Sequence, residues 1–102
     1  MQFAYPTKVK RHSNEAMLLD WLFHMANRGE FGSHEIQTRA ITHFLNIYNK
    51  RVTPDTISRL WRKMREDYKI NKYTSSLFDK GLEVEEVNKP NSRQKYYKVN
   101  LV

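Results

Sequence analysis

The sequence predicts an α+β, mostly α domain: three helices in succession, a short fourth helix, and a C-terminal β-hairpin. Three observations predict it. Apolar residues recur at helical spacing as far as residue 68 and then alternate at period two from residue 82. Residues 53–68 carry a capped helix with one apolar stripe and one arginine-bearing face. The positive charge falls in three separate blocks rather than evenly along the chain.

Residues 1–12 read as a basic N-terminal arm, with Lys8, Lys10 and Arg11 and no acid, and with Pro6 opposing an early helix. Residues 13–102 then form a single domain. In the first helix Ser13 is the N-cap, Glu15 lies in the first turn and Gly29 is the stop. Met17, Leu18, Leu19, Trp21, Leu22, Phe23, Met25 and Ala26 make its apolar arc wider than one face against a small core requires. Either the helix is central to the domain, or its outer side, with Leu19 and Phe23, meets a second copy or another protein. Burial within the monomer is the simpler expectation.

The second helix is expected from Ser33, with Glu35 in its first turn and Ile36, Ala40, Ile41, Phe44, Leu45 and Tyr48 on its inner face. A short link, Asn49 to Val52, leads into the third helix, giving the succession of a helix-turn-helix. Thr53 is its N-cap, Pro54 suits the first helical position, and Asp55 favours the positive end of the helix dipole. Ile57, Leu60, Trp61, Met64 and Tyr68 form one stripe. At about 100° per residue Arg59 and Arg62 point away from it, with Thr56, Ser58, Lys63 and Arg65 on the flanks. Beyond this helix, Thr74 or Ser75 can cap a short helix through Lys80, ended by Gly81, that sets Leu77 and Phe78 against the core. Leu82, Val84 and Val87, and later Tyr97, Val99 and Leu101, alternate with polar neighbours as strands do. Turn formers at residues 88–92 join them into a hairpin whose tip carries Lys89, Arg93 and Lys95.

Three helices followed by a basic hairpin resemble the winged helix-turn-helix DNA-binding domains. Thr56-Ile57-Ser58-Arg59 resembles the start of their recognition helix, Gly81-Leu82-Glu83-Val84 the step into the first wing strand, and Tyr96-Tyr97-Lys98-Val99 the returning strand. The likeness spans roughly residues 13–102. In the compact family pattern the recognition helix runs almost directly into the glycine step, whereas here residues 68–80 intervene, which leaves open whether the wing meets DNA or a protein.

Charge supports a polyanion as partner. Residues 50–73 hold eight basic against three acidic groups, and residues 88–102 hold Lys89, Arg93, Lys95 and Lys98 with no acid. The expectation is a double-stranded DNA-binding protein, a small sequence-specific transcriptional regulator with helix 53–67 in the major groove and a basic wing at 88–95. Thr56, Ser58, Arg59, Arg62 and Lys63 would face bases, the two arginines reaching guanine O6 and N7. Lys8, Lys10, Arg11, Lys50, Arg51, Lys89, Arg93 and Lys95 would hold the backbone. A homodimer through the first helix is compatible with this, and the alternative is a winged-helix protein-interaction module. No enzyme, cofactor or metal is expected. There is no cysteine, the four histidines are scattered without an expected carboxylate neighbour, and no phosphate-cradling glycine loop occurs. No apolar run approaches the ~18 residues of a membrane span, so a cytoplasmic protein, nucleoid-associated in a bacterial or viral setting, is expected.

Overall fold

The computed structural model describes residues 13–102; the predicted basic arm, with Lys8, Lys10 and Arg11, lies outside the described residues. The elements run α1 (Asn14–Met25), β1 (Glu30–Gly32), α2 (Ser33–Tyr48), α3 (Pro54–Ile70), a 3-10 turn (Lys72–Thr74), α4 (Ser76–Asp79), β2 (Leu82–Val87) and β3 (Tyr96–Leu101). The α+β, mostly helical class and the C-terminal hairpin are as expected. The strand β1 was not.

Glu30-Phe31-Gly32 is too short to show a period, and it becomes a strand by pairing antiparallel with β3, Phe31 opposite Tyr97. The sheet order is therefore β1-β3-β2, with β3 central and Val84 opposite Val99 across the hairpin. The same capture shortens α1. Its last residue is Met25 rather than the turn before Gly29, because Asn27 adopts a left-handed conformation (φ 63°) and donates its N–H to Val99 O at 3.0 Å. A backbone donor spent on the sheet cannot continue a helical ladder.

The α1 arc is satisfied inside the monomer. Met17, Leu18, Leu19, Trp21, Leu22 and Met25 are all buried, because α1 packs against α2, α3 and β3 together. Leu19, expected on the outer side, is thus a core residue, and of the arc's large side chains only Phe23 is exposed. On α2 the buried positions are Ile36, Ala40 and Phe44, spaced by four, a narrower face than the sequence suggested. Leu45, assigned to that face, projects outward at 42% exposure.

Ring contacts tie the helical layer to the sheet. Trp21 of α1 meets Phe31 of β1 edge-on at 5.5 Å, and Trp61 of α3 meets Tyr97 of β3 perpendicularly at 5.3 Å. Such pairs add about 0.5–1.5 kcal/mol each beyond burial and fix relative orientation.

Residues 68–80, which intervene between the expected recognition helix and the glycine step, are integral to the fold. The first of them prolong α3 to Ile70, since nothing breaks the helix before Asn71, whose side chain accepts from Tyr73 N–H and opens the 3-10 turn. Ser75 caps α4 through Phe78 N–H, and Leu77 is fully buried. Phe78 is only half-buried and meets the Tyr73 ring edge-on instead, with ring centroids 5.2 Å apart. Gly81 takes φ 84°, where a side chain would be strained, and turns the chain into β2.

Candidate nucleic-acid interface

Helix α3 is anchored by its stripe. Ile57, Trp61 and Met64 are at most 2% exposed, with Leu60 and Tyr68 packed at the margin. Thr53 caps it by accepting from Thr56 N–H at 3.2 Å, and Pro54 occupies the first turn. On the opposite face Arg59, Arg62 and Lys63 are exposed. Arg59 is held loosely by Asp55 one turn earlier, at 3.3 Å, both side chains being largely in solvent. Arg62 and Lys63 make no ion pair among the described residues.

Two expected base contacts are committed elsewhere. The Ser58 hydroxyl accepts a hydrogen bond from Gln37 Nε2 of α2, so it fastens the two helices to each other. Thr56 is half-buried, with its hydroxyl 3.0 Å from that of Thr53 in the helix cap. Ser58 stands on a flank turned toward α2, a direction that a helical wheel drawn without neighbours does not reveal. Lys50 and Arg51 are exposed in the link before α3, after Asn49 ends α2 in a left-handed conformation (φ 51°).

The hairpin cations are not equivalent. Lys89 turns back to pair with Glu30 of β1 and lies 4.6 Å over the Tyr96 ring, and the hydrogen bond to Glu30 raises its pKa. Lys89, expected among the cations of the basic tip, is therefore engaged by an acid on β1. Lys95 is 3.6 Å from Glu86, while Arg93 is exposed without an ion pair among the described residues. The loop of the hairpin is fixed to α2 by Gln94. Its Oε1 accepts from His34 N–H at 2.9 Å, supplying the side-chain cap that Gly32 cannot give α2. Ser33 N–H donates to Lys95 O beside it, at 2.9 Å.

Arg65, placed on a flank by the helical wheel, bridges α3 to the hairpin. Its guanidinium carbon lies 4.7 Å from the Tyr97 ring centroid and 5.5 Å from that of Trp61. With Arg62, Lys69, Lys95, Glu66 and Glu86 it lines an open cleft of about 580 Å³ between helix and hairpin.

A second polar cluster lies between α1 and α2, and sequence spacing did not disclose it. Asp20 Oδ2 accepts from Tyr48 Oη at 2.8 Å and lies 3.0 Å from His43 Nε2, while His24 stands one turn from Asp20 on α1. Histidine therefore does have a carboxylate neighbour, contrary to expectation. Burial acts to raise the Asp20 pKa, but the hydrogen bonds from Tyr48 and His43 and the two imidazoles outweigh it and hold the carboxyl below its ordinary value. Burial, with Asp20 alongside, pushes the Tyr48 phenol up to about 12. Among the described residues no three histidine or acidic groups are arranged to hold a metal ion. None of the described helices is long and apolar enough to cross a membrane.

No protein-family model matches the chain, and no curated protein or solved structure is significantly similar to it.

Proposed function

We propose that the chain is a winged helix-turn-helix protein that binds double-stranded DNA, acting as a small sequence-specific regulator with α3 in the major groove. The observation that carries this reading is the exposure of Arg59, Arg62 and Lys63 on the one face of α3 opposite its buried anchor. A helix rigidly seated on one side and offering guanidinium groups on the other suits bidentate recognition of guanine. Arg62 is the primary base reader, since it has no carboxylate to give up. Arg59 must exchange Asp55 for its base. Lys63, Lys50, Arg51, Arg93 and Lys95 supply phosphate contacts, joined by Lys8, Lys10 and Arg11 of the arm.

Selection from a randomised duplex pool, with binding followed across a salt series, tests the reading. The wild type should enrich a motif that Arg59→Ala/Arg62→Ala loses, each base-reading arginine being worth about 1–3 kcal/mol. Steep salt dependence without enrichment would instead mean sequence-independent binding. No binding at low salt would refute the DNA reading and favour the competing proposal of a protein-docking module, for which the exposed Phe23 of α1 is the starting point, as it is for self-association through that helix.

A further inference from the structure

The cleft between α3 and the hairpin holds charge beyond that of the base-reading Arg62 at its edge. Arg62, Arg65 and Lys69 enter it from α3 and Lys95 from the hairpin, against two carboxylates, Glu66 and Glu86. That leaves two more cations than anions in a concavity backed by the Tyr97 ring, a shape that concentrates positive potential. Glu86 stands 3.6 Å from Lys95 and engages it only in part. Arg65 has no ion pair among the described residues, and its Nε is buried without a hydrogen-bond partner among them. Its guanidinium is held by the two rings rather than by an acid.

An arginine fixed this way has already lost much of its rotamer freedom, so an incoming anion meets oriented donors at little further entropic cost. Planar guanidinium flanked by lysines matches the several oxygens of a phosphate better than the point charge of a chloride or a single carboxylate. We propose that this cleft is a phosphate-binding subsite, in which Arg65, Lys69 and Lys95 hold one phosphate group between helix and hairpin. The subsite rests on the DNA-binding reading for its occupant: a strand bordering the groove that α3 enters passes toward the hairpin, and an open cleft admits a continuous chain. A free phosphorylated small molecule would present the same chemistry.

The full chain, labelled with ¹⁵N, is titrated separately with a short DNA duplex and with inorganic pyrophosphate while the Arg65 Nε–H resonance is followed. Duplex affinity is measured in parallel for Lys69→Gln and Lys95→Gln, both altered at solvent-exposed positions, and for Arg65→Lys. The expected result is a duplex-induced shift of the Arg65 resonance. Each lysine variant should then weaken every sequence alike and flatten the salt slope by about one unit. A shift with pyrophosphate, and duplex affinity unchanged in the lysine variants, would assign the subsite to a free phosphate ligand. Duplex binding that needs Arg59 and Arg62 but leaves Arg65 and the lysine variants unaffected would overturn the subsite alone. Pyrophosphate binding with no duplex binding would overturn the DNA reading alone, and an Arg65 resonance silent to both probes would overturn the subsite outright.

Discussion

Replacing Asp20 tests whether the α1–α2 polar cluster holds the helical frame that presents α3. Its Oδ2 receives the Tyr48 hydroxyl at 2.8 Å and lies 3.0 Å from His43 Nε2, with the His43 side chain only 13% exposed. A hydrogen bond to a charged acceptor contributes about 1.5–3 kcal/mol. The Asp20 side chain keeps 29% of its surface in water, so the lower end applies to each bond. Asp20→Ala should therefore cost about 2–3 kcal/mol, which for a domain of this size lowers Tm by roughly 8–24 °C. Asp20→Asn keeps one acceptor but not the charge, and about half of that loss is expected.

The pH dependence gives an independent check. A carboxyl whose folded pKa is depressed contributes stability above its unfolded value of about 3.9, and loses it as pH falls through the lower folded value. The gap between wild type and Asp20→Asn should hold constant at neutral pH and close below about pH 4. Urea unfolding followed by tryptophan fluorescence across this range measures it. A difference under about 0.5 kcal/mol at neutral pH, or one that persists unchanged in acid, would refute the assignment of stability to this carboxylate.

Other substitutions probe separate joints of the structure. Raising the pH from about 10 toward about 12 should erode stability, because the Tyr48 phenol ionises later folded than unfolded; Tyr48→Phe should remove that component from an alkaline unfolding series. Ser58→Ala should leave DNA sequence preference intact while costing about 1 kcal/mol of stability through the lost Gln37 bond, read by selection and by urea unfolding on one preparation. At Gly32 an added Cβ would lie 2.5 Å from Gln94 Oε1. The flexible amide can swing aside, but His34 N–H then loses its cap, so Gly32→Ala and Gln94→Ala should each cost about 1 kcal/mol and the double variant little more. Leu77→Ala should cost about 2–5 kcal/mol, as expected of a buried core leucine, whereas a dispensable insertion would show almost no change in the unfolding midpoint.

The helices and the hairpin were legible because each carries its own punctuation. Thr53-Pro54-Asp55 announces α3, and the stripe from Ile57 to Tyr68 is buried or packed at the core margin throughout, as its period requires. Ser75 as cap of α4 and the alternation in β2 and β3 are equally local. Exposure of Arg59 and Arg62 follows from the same wheel, since a residue opposite an anchored stripe has nowhere to go but solvent, whereas of the flank residues Lys63 is exposed and Thr56, Ser58 and Arg65 are half-buried.

What the sequence could not determine depends on partners distant in the chain. Three residues become β1 only because β3 offers them a ladder, and the same strand ends α1 early by taking Asn27 N–H. Lys89 leaves the hairpin tip for Glu30, Ser58 turns to Gln37, and Asp20 gathers Tyr48 and His43 across two helices. Periodicity and capping residues by themselves determined the class of each long element, the buried stripe of α3 and where the helices begin. Tertiary contact alone decided which polar side chains remain available to a ligand, because a hydrogen bond or ion pair between remote residues depends on three-dimensional distance, which no spacing along the chain encodes.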